Sequence, residues 1–222
     1  MILPGGSSFI ANLDLMKPFR PYFIRFARER YAGAAEEVIA VTDKNYAMMA
    51  SDVMFAAKSK NPMDRRLDFS AYFLAFIKTL DERGESFEQI RKICLDITTE
   101  YVQPRNKVAA SIKKLIPRLI TTRLGRSLIQ RFHKRVSTNE NEDGFVASIV
   151  TDPSLTYGLG YGVDILECGI CKLFKKHNYE RWASILCEVD KITTSLAGLD
   201  MIRSGTIANG AVKCDFRYRF KV

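Results

Sequence analysis

Asn209-Gly210 stands between two segments of β character near the end of the chain. A two-residue type I′ turn requires positive φ at both central positions, and Asn-Gly is the pair that tolerates this best. The dipeptide therefore predicts an antiparallel hairpin, and its register follows. With Ala208 opposite Ala211, Gly205 falls opposite Cys214 and Arg203 opposite Phe216. Alternation then sets Val212, Cys214, Phe216, Tyr218 and Phe220 on one face with Arg203 and Gly205, and Lys213, Asp215, Arg217 and Arg219 on the other. Cys214 should point inward. An arginine on the same apolar face needs an anionic partner, because an unpaired buried charge costs several kcal/mol.

A lone hairpin does not bury enough to be stable, so the rest of the fold must supply its cover. The preceding chain reads as helix. One helix or a broken pair is expected from about Pro21 to about Ala57, through Tyr22, Phe26, Tyr31, Val38, Val41 and Met48 or Met49. Asp68 is expected to cap a helix through Phe69, Phe73, Phe76, Ile77 and Leu80 that Gly84 stops. Ser86 and Gln89 have the spacing of a capping box for the next helix, through Phe87, Ile90, Ile93 and Ile97. The polar run from Val136 to Gly144 is the clearest break. Phe145 to Val150 then favours a strand, and helical spacing is read from Gly162 to about His177 and from about Tyr179 to Thr194. The expected class is α+β: a helical N-terminal part packed with a small antiparallel sheet and two helices. A mainly helical region, 1–135, and an α+β region, 145–222, are expected to form one compact domain.

From Arg105 to Arg135 lysine and arginine recur and no aspartate or glutamate appears, in a chain of formal charge +9. Val108, Ile112, Leu115, Ile116, Leu119, Ile120, Leu124, Leu128 and Phe132 make one apolar stripe at helical spacing, which Pro117 should kink or divide. The stripe is expected in the core with the basic face solvated. A cationic face also attracts polyphosphates and acidic lipids, but no RNA- or DNA-binding motif is present, so no specific nucleic-acid partner is expected. No stretch reaches the ~18 apolar residues of a membrane span. The first six residues lack the pattern of a signal peptide, and the cysteine count is odd, which points to a reducing cytoplasm without disulfides.

Four of five cysteines fall in the last third: Cys168-Gly169-Ile170-Cys171, Cys187 and Cys214. If Gly162 to His177 is one helix, Val163, Leu166, Ile170 and Leu173 form its apolar stripe and Cys168 lies off it. Cys187 and Asp190 share a flank of the following helix. Buried cysteine often serves only as a small apolar residue. Two other readings stay open: a thiolate zinc site from Cys168, Cys171, Cys187 and Cys214, or a nucleophilic thiol helped by an acid. Nothing in the sequence requires a cofactor.

Cys168-Gly169-x-Cys171, Cys187-Glu188-x-Asp190, Arg203-x-x-Thr206-Ile207-x-x-Gly210 and Cys214-Asp215-Phe216-Arg217-Tyr218 together resemble the L-2-amino-thiazoline-4-carboxylic acid hydrolase family. The motifs span roughly Phe145 to the C-terminus. The resemblance implies a bacterial hydrolase acting on a carbon–nitrogen bond of a small cyclic amidine. On that chemistry Cys168, Cys187 or Cys214 is the candidate thiol and Asp190 the acid/base. Arg203 is the carboxylate anchor, and Thr206, Asp215 and Arg217 are further substrate contacts. The alternative is a small-ligand-binding or thiol/metal-binding module without catalysis.

Overall fold

The structure is a computed structural model that describes residues 18–104, 106–120 and 122–221, without the side chains of residues 123, 124 and 126. The reading of the first six residues, and the place of Leu124 in the apolar stripe, lie outside them. The class is α+β, with helices first and a four-stranded antiparallel sheet after. No helix among the described residues is long and apolar enough to cross a membrane. The chain divides into two compact units, one of residues up to Lys58 with Arg65–Tyr101, the other of Ser59–Asp64 with Val102–Val222.

The first unit is built from α1 (Arg20–Tyr31), α2 (Ala35–Val53), α3 (Arg66–Glu82) and α4 (Phe87–Val102, as far as Tyr101). The broken pair expected near the start is α1 and α2. They part at Ala32, where φ is +40° and a short 3₁₀ turn intervenes. α3 is apolar on nearly every side, with Leu67 and an unbroken run from Ser70 to Ile77 buried, so it forms the centre of this unit. Phe23 of α1 meets Tyr72 and Phe76 edge-on at 5.1 Å each. Truncating a ring such as Phe73, which is fully buried, costs about 3–5 kcal/mol. Asp68 is not the cap. Arg65 holds that position, and Asp68 lies in the first turn, where burial pushes its carboxyl up. The capping box is present: the Ser86 amide donates to Gln89 at 2.9 Å and the Gln89 amide to Ser86 at 3.3 Å.

The second unit holds α5 (Lys107–Ile120), α6 (Arg123–Val136), β1 (Val146–Val150), β2 (Gly162–Glu167), α7 (Gly169–Lys176), α8 (Ala183–Leu196), β3 (Leu199–Ile202) and β4 (Cys214–Phe220). Strand order is β1-β2-β4-β3, all neighbours antiparallel. The loop 59–64 belongs to this unit and is fastened to its first strand. Asp64 accepts from the Phe145 amide at 2.8 Å, and the Asn61 side chain donates to the Phe145 carbonyl at 2.8 Å. Both side chains are buried, which satisfies a backbone that would otherwise be orphaned.

Three expectations are corrected here. The span from Gly162 to His177 is not one helix: β2 ends at Glu167, and α7 starts at Gly169 with Cys168 as its N-cap residue. Leu166, placed by helical spacing in the apolar stripe, is instead exposed, because strand alternation turns it away from Ile165. The basic region divides at Thr122, the N-cap of α6 that accepts from Gly125, while Pro117 stays inside α5 and is buried. The third correction concerns the hairpin. β3 and β4 pair Ile202 with Arg217, the register expected, but the ladder ends there. Residues beyond it form a loop closed by a 3₁₀ turn at Ile207–Asn209, where only Gly210 takes positive φ. Side chains of β4 hold this loop through its amides. Asp215 accepts from the Ser204 and Gly205 amides at 3.0 Å each, and Cys214 Sγ from the Ile207 amide at 3.2 Å.

Candidate functional site

Pairing across β2 and β4 sets Ile165 beside Cys214 and Val163 beside Phe216. These side chains form one face of the sheet, and it is the face that receives the thiols. Cys214 and Cys168 are buried, and Cys171 and Cys187 are half-buried. Cys168 and Cys171 are linked by a hydrogen bond, and Cys187 and Cys214 lie close enough to Cys168 for their titrations to interact. Four cysteines from a strand–helix junction, a helix turn, a second helix and a strand thus meet in one place. All are free thiols. Cys94 stands apart, buried in α4.

The local reasons differ for each. Cys168 occupies the point where extended backbone (φ −106°, ψ 108°) becomes helix, and its carbonyl accepts from the Lys172 amide at 3.1 Å. Its thiol therefore sits at the positive end of α7, and Cys171 lies one turn along. Cys187 is on the flank of α8 beyond the buried stripe of Ile185 and Leu186, with Asp190 one turn further. Cys214 faces in because the Ile165 pairing turns it there.

Arg203 comes to the same face. Its guanidinium lies over the Phe216 ring at 5.1 Å, and Nη2 donates to the Cys187 carbonyl at 3.2 Å. Nη1 is 3.7 Å from Asp190 Oδ2, too long for a good hydrogen bond, and is buried with no hydrogen-bond partner among the described residues. The Thr206 hydroxyl is likewise buried without a partner. A buried polar group left unbonded costs about 1–3 kcal/mol; these two lie on the thiol side, and Asp164 Oδ1 is likewise without a hydrogen-bond partner among the described residues.

Burial and, for Cys171, a hydrogen bond to its neighbour keep Cys171, Cys187 and Cys214 uncharged. Cys187 is pushed up to about 12, chiefly by burial and then by the negative charge of Asp190. Cys171 is pushed up above all by its hydrogen bond to Cys168, then by burial. Cys214 is raised by burial, against which the Ile207 amide works. These three remain protonated near neutral pH. Among the described residues no group of His, Cys, Asp or Glu is arranged to hold a metal ion, so the four thiols do not fit the zinc site considered from their spacing.

Asp215 and Arg217 lie on the other face of the sheet, as alternation requires. Asp215 holds the 204–205 loop, and the Ser204 hydroxyl adds a third bond at 2.6 Å. Burial would raise its carboxyl, but the bonds from Ser204 and Gly205 outweigh this and hold it low. Arg217 pairs with Asp164 at 2.8 Å, and Lys213 reaches the same carboxylate at 2.6 Å. Burial of Asp164 is outweighed in the same way by these two cations. His133 accepts from the Ile149 amide at 3.1 Å and is part of the scaffold. What sequence reasoning missed is the Ile207 amide on Cys214 and the N-cap position of Cys168. A Glu-Cys-Gly step after alternating residues was the signal for the latter.

Residues 64–218 match the family described as L-2-amino-thiazoline-4-carboxylic acid hydrolase, which is more than half of the chain. The chain belongs to this family. The hydrolase-family match includes every residue of the thiol face, and it begins at Asp64, the carboxylate that fastens β1. α1 and α2 fall outside it. No curated protein and no solved structure matches the chain. A surface hollow of about 350 Å³ in this unit, lined by Pro117, Tyr161, Thr193 and Tyr218 among others, has no thiol in its wall.

Proposed function

We propose that the thiol face hydrolyses a carbon–nitrogen bond of a small, carboxylated cyclic amidine, a substrate of the kind the family name describes. The observation that carries this reading is Arg203: a buried guanidinium with one nitrogen lacking a hydrogen bond among the described residues, beside thiols and an acid. Guanidinium binds carboxylate through two parallel N–H···O bonds, and Nη1 is the donor such a ligand would engage. The unpartnered Thr206 hydroxyl offers a second contact.

The reacting carbon of an aminothiazoline is bonded to two nitrogens and one sulfur, so attack on it needs a nucleophile and a proton for the departing nitrogen. Cys168 is the thiol we assign to attack. Its sulfur bonds the carbon as the ring nitrogen departs with a proton, and water then adds to that carbon and displaces the thiol, completing the hydrolysis. It stands at the head of α7, and a thiol hydrogen bond from Cys171 would stabilise negative charge on its sulfur. Cys187 and Cys214, pushed up by burial, suit shaping the site better than attacking. Asp190, beside Arg203 and one turn from Cys187, is the proton carrier.

That burial of the thiols also favours a second reading, a small-ligand-binding module without turnover. One experiment separates them. The protein is incubated with L-2-amino-thiazoline-4-carboxylate, and turnover and binding are measured for the wild type and for Asp190→Asn. A hydrolase loses turnover on the order of 10²-fold or more in the variant while keeping affinity, since proton transfer contributes only on the way to the transition state. Tight binding with no turnover in the wild type makes the binding module the correct reading.

A further inference from the structure

α5 and α6 are inside out. Val108, Ile112, Leu115, Ile116 and Leu119 of α5 recur every three or four residues and all face solvent, Val108 at 68% exposure and Leu119 at 54%. On α6, Leu128 and Phe132 do the same one turn apart, with Leu128 at 57%. The buried residue of α5 is Pro117, on the opposite side of the helix from Leu119, and α6 buries Val136 against the unit. The expectation that the apolar stripe would be the core side is thus overturned. The helices are held by their other faces, and Lys113 fixes α5 by donating to the Val102 carbonyl at 2.5 Å.

Scattered apolar side chains on a surface mean little, but a continuous row of this kind marks a docking face. Its charge identifies the occupant. The stretch 105–135 contains no acidic residue, and Lys107, Lys114, Arg118 and Arg131 are exposed around the row. A second copy of this chain would bring the same positive charge against itself. A nucleic acid would find an apolar row where its phosphates need cations. An apolar stripe bordered by lysine and arginine instead matches a bilayer, with the stripe entering the acyl boundary and the cations meeting anionic headgroups. We propose that α5 and α6 form a surface anchor for anionic lipid bilayers, lying in the interface without crossing it.

The test is flotation of the full chain with vesicles of phosphatidylcholine alone and with roughly 30% phosphatidylglycerol, at low and physiological salt. Expected is binding at least about tenfold tighter to the anionic vesicles, weakening as salt rises. Leu115→Asp with Leu128→Asp should reduce it by about tenfold or more, and Lys107→Gln with Arg131→Gln by roughly fivefold per charge. The sites are exposed, so unchanged circular dichroism and thermal unfolding should establish that the variants fold. Three results overturn the proposal. The first is no partition of folded wild type onto anionic vesicles. The second is equal binding to neutral vesicles. The third is concentration-dependent dimerisation, or RNA binding, that the leucine substitutions abolish while vesicle binding is absent.

Discussion

The two faces of the β2–β4 pair each carry a buried arginine beside an aspartate, and they treat the pair in opposite ways. On one face Arg217 meets Asp164 at 2.8 Å, Lys213 adds a second cation at 2.6 Å, and Arg217 also donates to the Phe216 carbonyl at 2.9 Å. On the other, Arg203 stands 3.7 Å from Asp190 and keeps a buried nitrogen without a hydrogen bond among the described residues. Burial of the two pairs is similar. What differs is distance. Two cations reach Asp164 within 2.8 Å, although its Oδ1 makes no well-aligned hydrogen bond, whereas Arg203 lies too far from Asp190 to bond it.

Arg217→Ala breaks this comparison most directly. It removes the main partner of a buried carboxylate, and unfolding in denaturant should register a loss of about 3 kcal/mol. A loss below about 1 kcal/mol would mean that Lys213 suffices, and that the closed pair is not what holds this face. Arg203→Ala should do the reverse. Its stability cost should stay near 1 kcal/mol or less, because the contact to Asp190 is long. Substrate binding should weaken by about 10–100-fold, appearing in KM more than in kcat. If Arg203→Ala costs as much stability as Arg217→Ala and leaves KM unchanged, both arginines are scaffold.

Acid sharpens the contrast by a smaller amount. Asp164 and Asp215 are both held below the ordinary carboxylate range in the folded state. A group with a depressed folded value contributes stability that is fully present above its unfolded value, about 3.9 for aspartate, and is lost as pH falls through the folded value. Unfolding free energy should therefore be level above about pH 5 and decline below it. Asp215→Asn should make that decline shallower, measured by denaturant titration across the acid range. Lys213→Ala should have the least effect, under about 1 kcal/mol, because its amine is half-exposed and screened by solvent.

Legibility followed the range of the interaction. The β3–β4 register read from a two-residue turn at Asn209-Gly210 is the one observed at Ile202 and Arg217, although a longer loop stands where that turn was expected. The capping box was readable because Ser86 and Gln89 satisfy each other within one turn. The thiol cluster was partly readable, through motif spacing for Cys187 and alternation for Cys214. Cys168 was counted with them but on the wrong backbone, because apolar spacing across Gly162–Lys176 fits a helix as well as a strand followed by a helix, and β4 decides between them by pairing with Val163 to Ile165. The loop in place of a tight turn escaped for a related reason. Local propensity at Asn209-Gly210 lost to Asp215 and Cys214, whose side chains bond the Gly205 and Ile207 amides and hold the segment as a loop.

The sequence by itself determined which segments are amphipathic, where the last two strands align, and that thiols, an acid and an arginine belong to one third of the chain. Those are matters of periodicity and covalent neighbourhood. Tertiary structure alone decided which side of each amphipathic segment is covered. It set the stripe of α5 outward and buried Pro117. It closed Arg217 on Asp164 and left Arg203 open, because burial and pairing are properties of what lies across a gap, and a linear pattern records only that a face exists.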